Sequence, residues 1–240
     1  MKLPGITVVR GLRLGSIAIA TSALVACGGG GGGSSPTATI KGTAAVGSPL
    51  ANATIQMVCK NGSTNATTDG NGAFSATFAF DAPCVLTASG GTIVIHSLAS
   101  GAGTYNLTSL TDLLLSYIAG QLGTTLNGLL TGIQNNPSFQ GALSNSAVIA
   151  NAETAVAKLV KADYGVTLST SAFLTTPFVP GQPGPDADLD ALQNAGAVSA
   201  TTGSPVPALA SAALAAGAKA PISGGGGKSP TGGTGGSGAT

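Results

Sequence analysis

Thr67-Thr68-Asp69-Gly70-Asn71-Gly72-Ala73-Phe74 is a tight-turn sequence set between two alternating runs. Asp, Asn and Gly tolerate the positive φ of short turns, so the stretch predicts a hairpin with a strand on either side. Upstream, Thr37 to Ala45 reads as a first strand. In the next, Ala53, Ile55, Met57 and Cys59 share one face, and Asn52, Thr54, Gln56 and Val58 the other. Downstream come Phe74, Phe78 and Phe80, then Val85 to Ser89, Ile93 to Leu98, and Tyr105 to Leu107. About seven short strands punctuated by turn residues predict a small antiparallel β-sandwich over residues 37–107.

The residues that carry this reading also carry a resemblance. Gly47-Ser48-Pro49-Leu50, the strand start Ala53-Thr54-Ile55 and the run Thr68 to Phe74 together resemble the carboxypeptidase regulatory-like, or prealbumin-like, β-sandwich, over about residues 38 to 98. The resemblance implies an accessory or cell-surface module that is not itself catalytic, and some members of the family resemble carbohydrate-binding sandwiches.

At Thr108 the period changes from 2 to 3.6. Ser109-Leu110-Thr111-Asp112 reads as a capping box with Asp in place of Glu. Leu110, Leu113, Leu114, Tyr117, Ile118 and Leu122 then keep helical spacing, with a break expected near Gly123-Thr124 and a second helix through Leu126, Leu129, Leu130 and Ile133. Asn145 or Ser146 caps a third helix with Ile149, Ala152, Val156, Leu159 and Val160 inward, stopped by Gly165. Glu153 in its first half, with Lys158 and Lys161 near its end, matches the helix dipole. Asp186 to Ala195 predicts a last short helix whose acids (Asp186, Asp188, Asp190) are helix-start charge rather than a calcium site. The Leu110 stripe needs cover, and the later helices are the expected cover because the outer strand faces read polar at Thr54, Gln56 and Thr87. The run Thr108 to Leu113 also resembles an element that follows this sandwich in similar bacterial lipoproteins.

The N-terminal segment is an address. Lys2, Arg10 and Arg13 precede an uncharged run from 14 to 26, which at 1.5 Å per residue spans about 20 Å of helix and falls short of the roughly 30 Å hydrocarbon core. That length suits a secretory signal. An ordinary cleavage site wants small residues at −3 and −1, whereas here Leu24 stands at −3, Ala26 at −1 and Cys27 at +1. These positions resemble the bacterial lipobox. The resemblance implies cleavage before Cys27 and lipid on that residue, making the membrane the first partner. A plain secreted protein with a chance cysteine is the alternative. Gly28 rather than Asp after Cys27 resembles lipoproteins sorted to the outer membrane of Gram-negative bacteria. Gly28 to Ser35 forms a leash with a reach of about 15 Å.

Without Lys2, Arg10 and Arg13 the chain keeps six basic and eight acidic residues, with no cluster of the kind that nucleic acid requires. Cys59 and Cys84 both fall on the predicted inward face, and an exported protein meets an oxidising compartment, so they are expected to form a disulfide. Closing that loop is worth about 3 kcal/mol. A metal site at these cysteines would need further ligands, and the chain has one histidine and no Cys-x-x-Cys. That histidine, His96, lies on an apolar strand with no acid near it in sequence, and reads as an edge or half-buried side chain. Gly224 to Ser229 imitates a phosphate loop, but Ile222 stands where the first glycine belongs and no strand precedes it. Asp69 to Gly72 imitates a calcium loop without the required Glu. No cofactor is expected.

The fold class is therefore α+β. A signal peptide (1–26) and a lipid anchor with linker (27–36) precede the β-sandwich (37–107), a helical subdomain (108–198) and a Gly/Ala/Ser-rich disordered tail (199–240), within which Pro207 to Ala218 is a weak helix. The function expected is a non-catalytic outer-membrane lipoprotein acting as a structural or protein-interaction module. The alternative is a carbohydrate-binding lipoprotein that presents sandwich loops to peptidoglycan or external glycan. The partner is thus an envelope protein or a glycan. A sugar site wants exposed aromatics, of which only nine Phe and Tyr are available. A hydrolase fits least, with one histidine and no Gly-x-Ser-x-Gly element.

Overall fold

The computed structural model of the protein describes residues 37–222. The signal segment, the Cys27 anchor with its linker, and residues 223–240 of the expected tail lie outside the described residues. Seven strands come first: β1 (Thr37–Thr43), β2 (Thr54–Asn61), β3 (Ser63–Thr67), β4 (Ala73–Ala79), β5 (Asp81–Gly90), β6 (Ile93–Ala99) and β7 (Gly103–Thr104). They make two sheets, one in the order β4-β1-β7 and one in the order β3-β2-β5-β6. All pairings are antiparallel except β1 with β7.

Period-2 alternation sets the sandwich interior. Ile55, Met57 and Cys59 of β2 stand opposite Ala88, Leu86 and Cys84 of β5, which stand opposite Ile95, Ser97 and Ala99 of β6. All nine are fully buried, and the eight other than Ser97 join Ile40 and Phe74 of the other sheet in one apolar core. The hairpin expected at Thr67 to Phe74 is corrected. The turn forms, but β3 pairs with β2 and β4 pairs with β1, so the chain crosses between sheets there. Asp69 makes the turn by accepting from the amides of Asn71 (2.8 Å) and Ala73 (2.9 Å). Gly72 has φ 76°, and a Cβ there would sit 2.4 Å from the Ala44 carbonyl oxygen. Turn chemistry specifies the bend and leaves the partners of the flanking strands open.

Six helices follow: α1 (Ser109–Gln121), α2 (Leu126–Gly132), α3 (Pro137–Ser144), α4 (Ser146–Tyr164), α5 (Pro185–Asn194) and α6 (Pro207–Ala218). The break before α2 falls at Gly123, and α4 ends at Gly165 in the left-handed region, both as expected. α3 was not anticipated. Its start signal is Asn136, which accepts from the amides of Ser138 and Phe139, with Pro137 in the first turn.

The cap of α1 is one residue earlier than read. Thr108 is the N-cap, Thr111 reaches back to the Thr108 amide at 3.0 Å, and Asp112 falls just beyond the box. Every residue from Ser109 to Gly120 is buried, because α1 lies between β6 on one side and α2, α4 and above all α6 on the others. The expected cover by later helices is therefore half the answer, since the sandwich also covers it. The outer strand face is polar at Thr54 and Gln56, which are exposed, but the next row, Val58-Val85-Leu98, is apolar. Val85 and Leu98 are buried where α3 lies against β5 and α1 against β6.

The greatest departure concerns the expected disordered tail. Residues 199–222 are part of the fold, and α6 is a packed helix with Leu209, Ala213 and Gly217 buried. A Cβ on Gly120 would sit 2.0 Å from the Leu214 carbonyl oxygen, and one on Gly217 would sit 1.9 Å from that of Tyr117. The two helices touch backbone to backbone through reciprocal glycines, so a composition that reads as linker is here a close-packing surface. Among the described residues no helix is long and apolar enough to cross a membrane.

Candidate functional site

Of the residues singled out from sequence, Cys27 and the Gly224–Ser229 run lie outside the described residues. Cys59 and Cys84 are directly opposed on β2 and β5, with Cα atoms 3.7 Å apart, and form a disulfide in the sandwich interior. The three acids of α5 do not converge. Asp186 accepts from the Gly181 amide at 2.6 Å, while Asp188 accepts from the amide and hydroxyl of Ser169 at 2.9 and 2.7 Å. Among the described residues no three His, Cys, Asp or Glu side chains form a group that could hold a metal.

The first cluster of polar groups lies on the free edge of β6. His96 is half-buried there, as expected, but an acid does meet it. Asp112 Oδ1 accepts from the His96 amide at 3.0 Å and lies 2.8 Å from Nδ1 of the ring. Thr111 donates to the His96 carbonyl at 2.7 Å. The first turn of α1 thus supplies the edge strand with the donor and acceptor that another strand would have offered, which seals the sheet against further pairing. Burial pushes the Asp112 carboxyl up, and its bonds to His96 pull it back down. Beside the pair is a cavity of about 280 Å³, lined by Val94, His96, Asp112, Ser116 and Ser204. Sixteen residues separate His96 from Asp112, so periodicity gives no hint of the pairing. The hint lay in placing the cap at Thr108, which frees Asp112 from capping.

The second cluster joins the sandwich to the helices. Buried Asn106 donates from its side chain to the carbonyls of Phe173 (3.1 Å) and Thr176 (2.7 Å), and its amide donates to the Leu174 carbonyl at 2.7 Å. From the other side, Glu153 Oε1 accepts from the Leu174 amide at 2.8 Å. By its place in α4, Glu153 reads from sequence as dipole charge. It is instead a buried residue, 6% exposed, turned inward to hold the connection between α4 and α5. Burial raises its carboxyl and the Leu174 bond lowers it. A cavity of about 180 Å³ opens beside it, lined by Ser100, Tyr105, Ser146, Ile149, Glu153 and Leu174 among others. Tyr105 and Ser100 share a hydrogen bond of 3.0 Å on its wall. Asn106 falls within the run Tyr105 to Leu107 that reads as a strand, and neither it nor Glu153 has a local signature that foretells this junction.

A larger groove of about 330 Å³ lies among Leu122, Pro137, Ala142, Val148 and Ile222 and carries no ionisable side chain. Among the described residues Glu153 is a deeply buried acid that lines a cavity and has no side-chain partner, and the sandwich–helix junction is the candidate binding site. Its lining combines one carboxyl, hydroxyl-bearing side chains and apolar wall.

No protein-family model matches this sequence, and no curated protein matches it. Among solved structures, a DUF3823 family protein from Parabacteroides merdae is similar over 30% of this chain, at 21% identity and a TM-score of 0.25. The chain spans 45% of that protein's length.

Proposed function

We propose that the chain is a non-catalytic lipoprotein of the Gram-negative outer membrane, held by lipid on Cys27, whose carboxypeptidase regulatory-like sandwich and attached helices act as a structural or protein-interaction module. The observation that carries this reading is the use made of the buried acids. Asp112, Asp186 and Asp188 each hold a backbone amide outside their own helix, and Glu153 holds the Leu174 amide through one of its two oxygens, so the buried acids serve the frame. The lipobox-like residues Leu24 to Cys27 and the glycine leash support the anchor. Two acyl chains hold a protein stably where one holds it marginally.

The nine aromatic residues favour a protein partner over a glycan. Phe74, Phe80, Phe173, Tyr105 and Tyr117 are buried and the other four are half-buried, which leaves no exposed ring on which a sugar could stack. The anchor is tested by feeding labelled palmitate to cells and separating their membranes. Wild type should carry label and sediment with the outer membrane, and Cys27→Ser should lose both properties. Unlabelled wild-type protein in the soluble periplasmic fraction would refute the anchor.

A further inference from the structure

The junction cleft holds a carboxylate with one side unused. Glu153 is 6% exposed, lines the cavity of about 180 Å³, and bonds to the protein through Oε1 alone, to the Leu174 amide. No ion pair among the described residues involves it. Its second oxygen has no protein partner and is not among the side-chain oxygens sealed from solvent, so it faces the cavity, where a cation can pair with it in surroundings of low polarity.

The shape of the site narrows the cation. Drug-sized sites run to roughly 300–1,000 Å³, so this cavity admits a group the size of a side chain. A guanidinium binds best by spanning both carboxylate oxygens, and here the Leu174 amide already sits on Oε1 and restricts that two-point approach. A compact ammonium needs only the other. Ile149, Ala150 and Leu174 provide apolar wall for an alkyl stem, and the hydroxyl-bearing side chains Ser146, Thr175 and Tyr105 line the same cavity. We infer that the cleft between Glu153, Tyr105 and Leu174 is a recognition site for a primary ammonium on a short apolar stem, as presented by a lysine side chain or a small free amine. The site deepens the interaction-module reading by naming the chemistry of the partner. It is tested without reference to the anchor, so failure of either leaves the other standing.

The test is a titration of the full-length protein in detergent micelles, following the Leu174 and Thr175 amide resonances and the Glu153 carboxyl carbon. The probes are n-butylammonium, Nα-acetyl-lysine N-methylamide, n-butylguanidinium and n-butanol. Both ammonium probes should give saturable shifts at the cleft and lower the pH at which Glu153 titrates. Butanol and butylguanidinium should bind about tenfold more weakly or worse, given what a charged hydrogen bond contributes. Tighter binding of the lysine derivative points to a peptide partner, and tighter binding of butylammonium to a free amine. Both results support the site. Glu153→Gln should weaken the ammonium probes by about tenfold or more. Should that variant fail to fold, Ala150→Phe, at an exposed position on the rim, should block the cleft with the same loss. The inference is overturned if neither ammonium probe shifts the cleft, if butanol or butylguanidinium binds as well, or if the folded variants bind like wild type.

Discussion

The sandwich and the helical layer are cohesive for different reasons. In the sandwich, nine residues on three neighbouring strands point to one interior and include the Cys59–Cys84 disulfide, so its order comes from apolar burial plus a covalent tie. The helical layer is organised around α1, which is buried on every side, and its connections are held by single acids bonded to the backbone of distant segments. Because α1 packs on β6 as well as on α6, it belongs to both halves. An interior that reads as two subdomains is physically one.

The largest effect should come from the shared helix. Leu114 is fully buried, and Leu114→Ala should cost about 2–5 kcal/mol. Amides of sandwich and helices should lose stability together in thermal or denaturant unfolding. Two separate transitions would break the comparison by making the halves independent.

Next in size is the edge of β6. Asp112→Ala removes the acceptor of the half-buried His96 amide and should cost about 1–3 kcal/mol. Asp112→Asn keeps an acceptor and should recover part of that loss in a melting experiment. If both variants melt with wild type, the α1 turn does not seal the edge.

Smallest is a pH effect at the junction. Burial raises the Glu153 carboxyl above its ordinary 4.5, so the folded state holds that proton more tightly than the unfolded chain. Its contribution to stability is flat below 4.5 and is lost as pH rises from there through the raised folded value. Glu153→Gln keeps an oxygen for the Leu174 amide and has no proton to lose. Its melting temperature should therefore gain on wild type as pH rises through that window. A difference that stays constant with pH would show that Glu153 titrates as it does in water.

These differences explain what could be read in advance. Ile55, Met57 and Cys59 declared their common face because strand alternation has a fixed period, and Cys84 followed from the same rule. The bend at Asp69 was equally legible, but pairing depends on residues far away in sequence, and β3 and β4 went to different sheets. Helical spacing located α1, yet a helix buried all round has no stripe to say what covers it. Gly217 looks like a linker glycine until its backbone meets that of α1 near Tyr117. The junction of Asn106, Leu174 and Glu153 and the His96–Asp112 pair rest on contacts across 16 to 70 residues of sequence, for which local pattern has no vocabulary.

Native-state hydrogen exchange on α1 tests the shared core most directly. Amides from Leu113 to Ile118 should exchange only through global unfolding, with the same free energy and the same denaturant dependence as those of Val85 to Ala88 in β5. If the α1 amides exchange through a smaller opening while β5 stays protected, α1 belongs to the helical layer alone, and the single interior described above is contradicted.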